Sequence, residues 1–325
     1  MNKSISVIIP NFNGKYLLDI ILPTVYVALA KVNISSEIII VDDASSDDSV
    51  IFIEKNYPKI KIIQNHWNVG FSVSVNKGAA AAQYDLLFFL NNDVKLTEDY
   101  FISMLPYFDK KDAFGVNGRV IGWEDDKIQD AAKLPYFQGG KLKTSRNYYY
   151  KERPSPEVFT FYLTGSNALI DKKKFFEIGG FNEIFSPFYC EDLELSVRAW
   201  KSGWKCYYEH NAVCRHKVSA TTSTMKRKKY VEIIYNRNKF IFHYLHLSGL
   251  RYYLYVLQTL LEAVLKLILL NTKYFQSLYQ FIKKITESKK IKKSDNLLDA
   301  PKSVEQILNV IEERASQREM IYFKS

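Results

Sequence analysis

The chain has 325 residues, 47% of them hydrophobic and 25% charged, which is enough to bury a full core and too long for one minimal domain. Its net charge of +10 is concentrated in the last third, in Lys226-Arg-Lys-Lys229, Lys283-Lys284 and Lys289-Lys-Ile-Lys-Lys293. With no Arg-rich recognition helix and no zinc-ligand spacing, that surplus argues against nucleic acid and for an anionic membrane surface or a solvated face. Three cysteines, Cys190, Cys206 and Cys214, form no CxxC pair, and the N-terminus lacks a signal peptide's apolar core. Both features predict a cytoplasmic protein with reduced thiols.

Apolar, β-rich runs predict strands at Ser6–Ile9, Glu37–Val41, Ile60–Ile63 and Asp85–Leu90, with helices beginning near Lys15, Ser46, Phe71 and Glu98. Near-continuous apolar strands separated by helices predict an α/β fold with a mostly parallel, doubly covered sheet. Ser46, followed by Asp47 and Asp48, reads as an N-cap with acids in the first turn. From about Gly115 to Tyr162 the pattern loosens into Gly, Pro, Lys and aromatic residues, as a substrate-covering insertion would. Order returns at Phe161–Ile170, then a turn at Gly179-Gly-Phe-Asn182, a helix opening at Glu191-Asp192 and a strand at Ala212–Arg215. Beyond Ser223 the chain is helical and aromatic-rich. After Ser288 a polar linker is expected before an amphipathic helix at Val304–Arg318.

The stretch from Tyr252 to Leu270 is broadly apolar, but Gln258, Glu262 and Lys266 recur every four residues and line one helical face. Such a helix lies on something and does not cross a bilayer. The expected cover is the inner face of the membrane, the catalytic domain or a second subunit, as in a homodimer.

Three strands end in polar turns: Pro10-Asn-Phe-Asn-Gly14, Asp42-Asp-Ala-Ser45 and Asn91-Asn-Asp93. Polar residues at the carboxyl ends of successive parallel strands lie where open α/β sheets bind ligands, which predicts a nucleotide there; Asp and Asn are also ordinary turn residues. Asp93 is the candidate metal ligand, because a divalent cation held by one or two carboxylates and phosphate oxygens neutralises a departing diphosphate. His216 is a candidate second ligand or phosphate contact, with a structural histidine as the alternative. Asp192, at a helix start, is the candidate general base, with Glu191 as the alternative base or an acceptor-orienting group; an acid there also answers the helix dipole. The absence of GxGxxG after the first strand disfavours a dinucleotide dehydrogenase. A sugar nucleotidyltransferase would need a glycine-rich phosphate loop, for which Asn11-Phe-Asn-Gly14 is poor; a non-catalytic sugar-nucleotide binder is the other alternative.

Taken in order, Val7-Ile-Ile-Pro-Asn-Phe-Asn-Gly14, Ile40-Val-Asp-Asp-Ala-Ser45, Asn68-Val-Gly-Phe71 with Asn76 and Gly78, Leu90-Asn-Asn-Asp-Val94, Thr164-Gly-Ser-Asn167, Gly179-Gly-Phe-Asn182 and Glu191-Asp-Leu-Glu-Leu-Ser-Val-Arg198 resemble family 2 glycosyltransferases, especially the rhamnosyltransferase-like branch of bacterial surface-polysaccharide enzymes. The resemblance covers roughly residues 4–240. It implies a glycosyltransferase A fold: a Rossmann-like sheet with flanking helices, followed here by a C-terminal helical appendage. It also implies a UDP- or dTDP-linked sugar donor, Mg or Mn, inversion at the anomeric carbon, and a saccharide or lipid-linked acceptor. By position, Asp42 resembles the acid that reads the base, Pro10, Asn11, Asn13, Asn76 and Asn92 fall on the donor nucleotide side, and Gly165 and Ser166 fall on the acceptor side. Asp93 resembles the last acid of the DXD metal motif and Asp192 the catalytic base. Three positions depart from the pattern: Asn91 replaces the first DXD acid, Asn182 the usual Asp after Gly-Gly-Phe, and Glu194 the second Asp of the Glu-Asp-x-Asp run. The Gln-x-x-Arg-Trp run of processive relatives is absent, implying one sugar per encounter. The organisation expected is a catalytic domain over 1–223, divided near 115 into nucleotide and acceptor halves, a helical region over 224–287, and a basic linker with a terminal helix over 288–325.

Overall fold

The computed structural model describes residues 3–152, 157–217, 225–295 and 302–324. The expected Val218–Thr222 run after Lys217 lies outside the described residues, as do the side chains of Lys226, Arg227 and Lys293.

The first half builds β1 (Ile5–Asn11), α1 (Lys15–Val32), β2 (Ser36–Asp42), α2 (Ser49–Asn56), β3 (Lys61–Gln64), α3 (Phe71–Ala81), β4 (Leu86–Leu90) and β5 (Val94–Leu96). β1 pairs in parallel with β2 and β4, and β2 with β3, which gives the order β3-β2-β1-β4. β4 is buried at every position and β1 at all but Pro10, the pattern of strands covered on both faces. Gly78 lets α3 approach this sheet, since a Cβ there would meet Ile8 Cγ2 at 2.5 Å.

The second half adds β6 (Ala113–Gly122), β7 (Ile128–Asp130), β8 (Ala132–Lys133), β9 (Tyr136–Gln138), β10 (Lys141–Lys143), β11 (Arg146–Tyr150), β12 (Val158–Phe159) and β13 (Asn167–Asp171). It continues through α4 (Lys172–Glu177), α5 (Glu191–Lys201) and β14 (Lys205–His216). β13 inserts antiparallel between β4 and β6, and β14 runs parallel to β6. Along the main path of the central sheet, β12-β14-β6-β13-β4-β1-β2-β3, four of the seven neighbouring pairs are parallel, and helices lie on its faces.

Two expectations are corrected here. Residues 113–122 are a core strand and not an insertion. Their glycines serve strand packing: a Cβ on Gly118 would meet Ala212 O at 2.4 Å, and one on Gly115 would meet Leu169 O at 2.7 Å. No helix begins at Glu98; turns lead into a short 3-10 helix at Leu105–Asp109, whose proline at the first turn cannot donate to an α-helical ladder. Ser46 likewise does not cap α2, which starts at Ser49; the Asp47 carboxylate accepts from the Ser49 amide (3.1 Å).

The C-terminal part comprises α6 (Met225–His246), α7 (Gly249–Ile268), α8 (Thr272–Asp295), α9 (Val304–Ser316) and β15 (Met320–Lys324). α8 continues through the stretch expected to be a polar linker after Ser288. It does so because Lys284 and Lys292 point inward, donating to Ile184 O (2.8 Å) and Tyr244 O (2.6 Å). α9 opens with a capping box between Ser303 and Gln306, and β15 pairs antiparallel with β11, so the chain returns to the acceptor half.

Candidate active site

The carboxyl ends of β1, β2 and β4 open into a cavity of about 690 Å3 whose lining includes Pro10, Asn11, Asp43, Asn92, Asp93 and Tyr189. Its floor is a hydrogen-bonded set of turns. Asn92 Nδ2 donates to Asn11 Oδ1 (2.9 Å), and Asn11 Nδ2 donates to Asp42 Oδ1 (3.0 Å). Gly14 is required beneath them, because a Cβ would fall 2.2 Å from Asn92 Nδ2.

Asp42 does not face the cavity. It is buried, and its oxygens accept from Asn11, from the Ser45 amide (3.0 Å) and from Ser45 Oγ (2.6 Å). The carboxylate lining the cavity from this turn is the adjacent Asp43, oriented by the amides of Val69 and Gly70 (both 2.9 Å) and by Asn65 Nδ2 (2.9 Å). The two share a turn but point apart, and sequence position alone does not separate them. Asn13 and Asn76 also lie away from the lining and fix the turns around it. Asn13 Oδ1 accepts from the Ser46 amide (2.7 Å); Asn76 Nδ2 donates to Phe181 O (2.8 Å) and its Oδ1 accepts from the Phe181 amide (2.9 Å).

Asp93 and His216, far apart in sequence, meet because β5 pairs antiparallel with β14 in a register that sets Val94 opposite His216. His216 Nε2 stands 3.6 Å from Asp93 Oδ2, and Gln129 Oε1 lies 3.2 Å from His216 Nδ1. With Gln129 accepting from Nδ1–H, the lone pair of Nε2 is left on the Asp93 side. Asp93 Oδ1 is buried without a hydrogen-bond partner. An unpartnered carboxylate oxygen beside an imidazole nitrogen fits a divalent cation. The described residues contain no cluster of three or more His, Cys, Asp or Glu side chains, so further ligands would come from diphosphate or water.

A short bridge links this turn to the candidate base. The Asn91 amide donates to Ser166 O (3.1 Å), and the Gly165 amide donates to Asp192 Oδ2 (3.3 Å). Asp192 stands half-buried in the first turn of α5 and lines a second cavity of about 190 Å3 with Lys133, Tyr162, Tyr235 and Lys239. Burial pushes its carboxyl up from the ordinary range, against the pull of the Leu193 and Gly165 amides, towards a proton affinity useful in a base. Glu191 is buried with Oε2 unpartnered, and burial together with the Asp192 charge pushes its carboxyl well up. Of the two acids, Asp192 is the one that lines a cavity. Glu194 turns away entirely, forming two 2.8 Å bonds to Arg198, whose Nη2 also donates to Gly180 O (2.7 Å).

The loop before α5 holds the two cavities side by side. Tyr189 and Cys190 both have φ of +72°, a costly backbone conformation for residues bearing a Cβ. It is held by Asn238 of α6, whose Nδ2 donates to the carbonyls of Phe185, Phe188 and Tyr189 (2.7–2.9 Å), and by Arg237 Nη2 to Ser186 O (2.7 Å). Neither residue was predicted as part of the site. Asn-Arg-Asn on an aromatic helix carries no signal until the helix is seen to cross this loop.

The glycosyl transferase family 2 profile matches residues 6–179, which is more than half of the chain, and the related glycosyl transferase family group 2 profile matches residues 138–282. The chain belongs to glycosyl transferase family 2. This glycosyltransferase is 25% identical over 221 residues to an N-acetylglucosaminyl-diphospho-decaprenol L-rhamnosyltransferase of Mycobacterium tuberculosis, a match spanning 59% of this chain and 72% of that protein. It is 26% identical over 182 residues to human polypeptide N-acetylgalactosaminyltransferase 16, spanning 53% of this chain but only 32% of that one. Among solved structures, GalNAc-T7 with UDP, GalNAc and Mn2+ shares the fold at a TM-score of 0.63 and 15% identity, covering 97% of this chain and 57% of its own. The Pyrobaculum calidifontis mannosyltransferase PcManGT with GDP-Man and Mn2+ does so at 0.53 and 11%, covering 97% and 85%. The transferase thus has the glycosyltransferase A fold. Among its described residues, no helix is long and apolar enough to cross a membrane.

Proposed function

We propose that this transferase is an inverting, non-processive enzyme that moves one sugar from a UDP- or dTDP-linked donor to a saccharide or lipid-linked acceptor in surface polysaccharide synthesis. The observation that carries the reading is the two-bond bridge from Asn91 through Ser166 and Gly165 to Asp192, which sets a nucleotide-sized cavity and a half-buried carboxylate on either side of one turn. In this reading Pro10, Asn11, Asp43 and Asn92 bind the donor nucleoside, with Asp42, Asn13 and Asn76 holding the turns that shape its cavity.

Asp93 and His216 would hold Mg or Mn, which when bound neutralises charge on the leaving diphosphate. Asp192 takes the proton of the acceptor hydroxyl as that oxygen attacks the anomeric carbon from the face opposite the diphosphate. The amides of Gly165 and Leu193 orient the carboxylate, and the neighbouring Glu191 carboxyl is raised by burial and by the Asp192 charge. Residues 1–223 form the catalytic unit in this proposal. Residues 224–287 seat it peripherally on the cytoplasmic membrane face through α7, where Leu250, Leu257, Leu261, Val264 and Ile268 stand exposed; Lys283, with Lys289 and Lys290 further along α8, supplies basic charge.

The test is Asp192→Asn. The amide keeps the shape but cannot accept the proton, so UDP or dTDP affinity should persist while turnover falls by about 10²–10⁴-fold. Turnover like that of the wild type would remove Asp192 from the base role and leave Glu191 as the candidate.

A further inference from the structure

The cavity beside Asp192 adjoins another that the sugar-transfer reading does not use. This third cavity, of about 260 Å3, lies between β10, α6 and α7 and shares Leu142, Lys239 and His243 with the cavity of Asp192. Four lysines line it: Lys141, Lys143, Lys239 and Lys266.

Its walls are built, not incidental. The β9–β10 hairpin lies directly on α7: Gly140 N donates to Gln258 Oε1 (2.8 Å), Arg251 Nη1 donates to Gly139 O (3.0 Å), and a Cβ on Gly140 would strike the Tyr255 amide nitrogen at 2.3 Å. On the α6 side, the Leu142 amide donates to His243 Nε2 (3.0 Å) while His243 Nδ1 donates to Lys239 O (2.7 Å), which fixes a neutral ring.

The charge accounting leaves a surplus. Of the two carboxylates in the lining, Glu262 pairs with Lys141 and Glu232 pairs with Lys273 outside it. Lys143, Lys239 and Lys266 have no carboxylate within ion-pair distance among the described residues. Burial pulls Lys239 down from the ordinary lysine range, and burial first, then the charges of Lys141, Lys239 and Lys143, lower His243 to about 4. Lys239 Nζ lies 4.0 Å from the centre of the Tyr235 ring, and partly desolvated ammonium groups without a carboxylate partner around a cavity favour a compact polyanion. At the α7–α8 turn, Lys266 and Asn271 of this cavity adjoin Leu267 and Leu270, which line an exposed apolar pocket with Phe275 and Tyr279.

We propose that Lys143, Lys239 and Lys266 form a diphosphate site for the acceptor, so that a sugar esterified to a diphosphate places its hydroxyl at Asp192 and any lipid chain towards the apolar α7–α8 turn. The inference rests on Asp192 marking the acceptor side.

The test titrates inorganic pyrophosphate and farnesyl diphosphate into the full chain in EDTA, by calorimetry, for the wild type, the Lys143→Gln/Lys239→Gln/Lys266→Gln variant and Asp93→Ala. Pyrophosphate affinity should fall at least about tenfold in the lysine variant, as expected for lost charge-assisted bonds, and be unchanged in Asp93→Ala. Farnesyl diphosphate binding at least as tightly as pyrophosphate identifies a lipid-borne diphosphate; pyrophosphate binding alone identifies a soluble one, and both support the site. Equal pyrophosphate affinity in wild type and lysine variant overturns it. So does a wild-type protein in which pyrophosphate fails to protect these three lysines from acetylation, a readout that needs no variant to fold. Because neither readout involves turnover, the site can fail while Asp192→Asn still abolishes transfer, and the base assignment can fail while pyrophosphate still binds.

Discussion

Glu194→Gln tests whether the acid that departs from the family pattern holds the catalytic helix in place. Glu194 is fully buried, and Arg198 is bound by it through two 2.8 Å hydrogen bonds while also donating to the carbonyls of Ile178 and Gly180. Burial alone would raise the Glu194 carboxyl, but the Arg198 charge and hydrogen bonds, together with His246, outweigh it and bring it from 4.5 down to about 2. A depression of that size corresponds to about 3 kcal/mol favouring the ionised, folded form at neutral pH, present above the unfolded-state value and lost as pH falls through about 2. The glutamine removes this term and leaves a buried guanidinium without its counter-charge, a loss of about 3–5 kcal/mol. Urea unfolding at pH 7 should show the midpoint shifted by that free energy with the slope unchanged. Turnover should also drop, because α5 carries Asp192 in its first turn and is tied by Arg198 to the Gly179-Gly180 turn. A loss below about 1 kcal/mol, typical of a surface pair, would refute the reasoning.

Asp93→Ala should weaken UDP or dTDP binding in Mn and leave it unchanged in EDTA; equal wild-type affinity in Mn and in EDTA would dissociate Asp93 from metal. Burial depresses His243 and His246 from 6.5 to about 4, so both must gain a proton on unfolding in acid, and each contributes stability above pH 6.5 that is lost as pH falls towards 4. Glu191, whose carboxyl is raised, acts in the opposite direction, so the histidine contribution is measured by difference. The stability of wild type relative to His243→Gln should decline by about 1.4 kcal/mol per pH unit across that window, and parallel profiles would sink the assignment. The 325-residue chain should co-sediment with anionic vesicles, less so in high salt, and Leu257→Glu/Leu261→Glu should abolish this without changing nucleotide binding. A soluble dimer with no vesicle affinity would instead make α7 a subunit interface.

The parallel half was legible because buried strands write themselves as unbroken apolar runs and the polar turns that follow mark one sheet edge. What the runs do not encode is direction within a turn. Asp42 and Asp43 are chemically identical neighbours, and only the amides of Val69 and Gly70, brought in by the loop before α3, turn Asp43 to the cavity. Residues 113–122 were misread because Gly115, Gly118 and Gly122 look like loop punctuation. A strand that lets neighbouring backbones and side chains come close needs those same residues, and sequence alone cannot distinguish the two uses. The pairing of Asp93 with His216 depends on the register of β5 against β14, a long-range property that no local pattern carries.

The polar stripe of α7 shows the same limit from the other side. A stripe of Gln258, Glu262 and Lys266 on an apolar helix would ordinarily face water, leaving the apolar surface for the protein interior. Here the arrangement is inverted. Gln258 accepts from Gly140, Glu262 pairs with Lys141, and Lys266 lines the lysine cavity, while Leu257, Leu261, Val264 and Ile268 remain open. The inversion costs little at the hairpin, because Gln258 and Glu262 have partners there, but it leaves a continuous apolar surface along α7 that water does not favour. A helix whose polar face is spent on its own domain can gain hydrophobic free energy only from something outside that domain. Because that surface adjoins the lysine cavity at Lys266 and Leu267, whatever covers it stands next to the cavity whose wall is shared with that of Asp192.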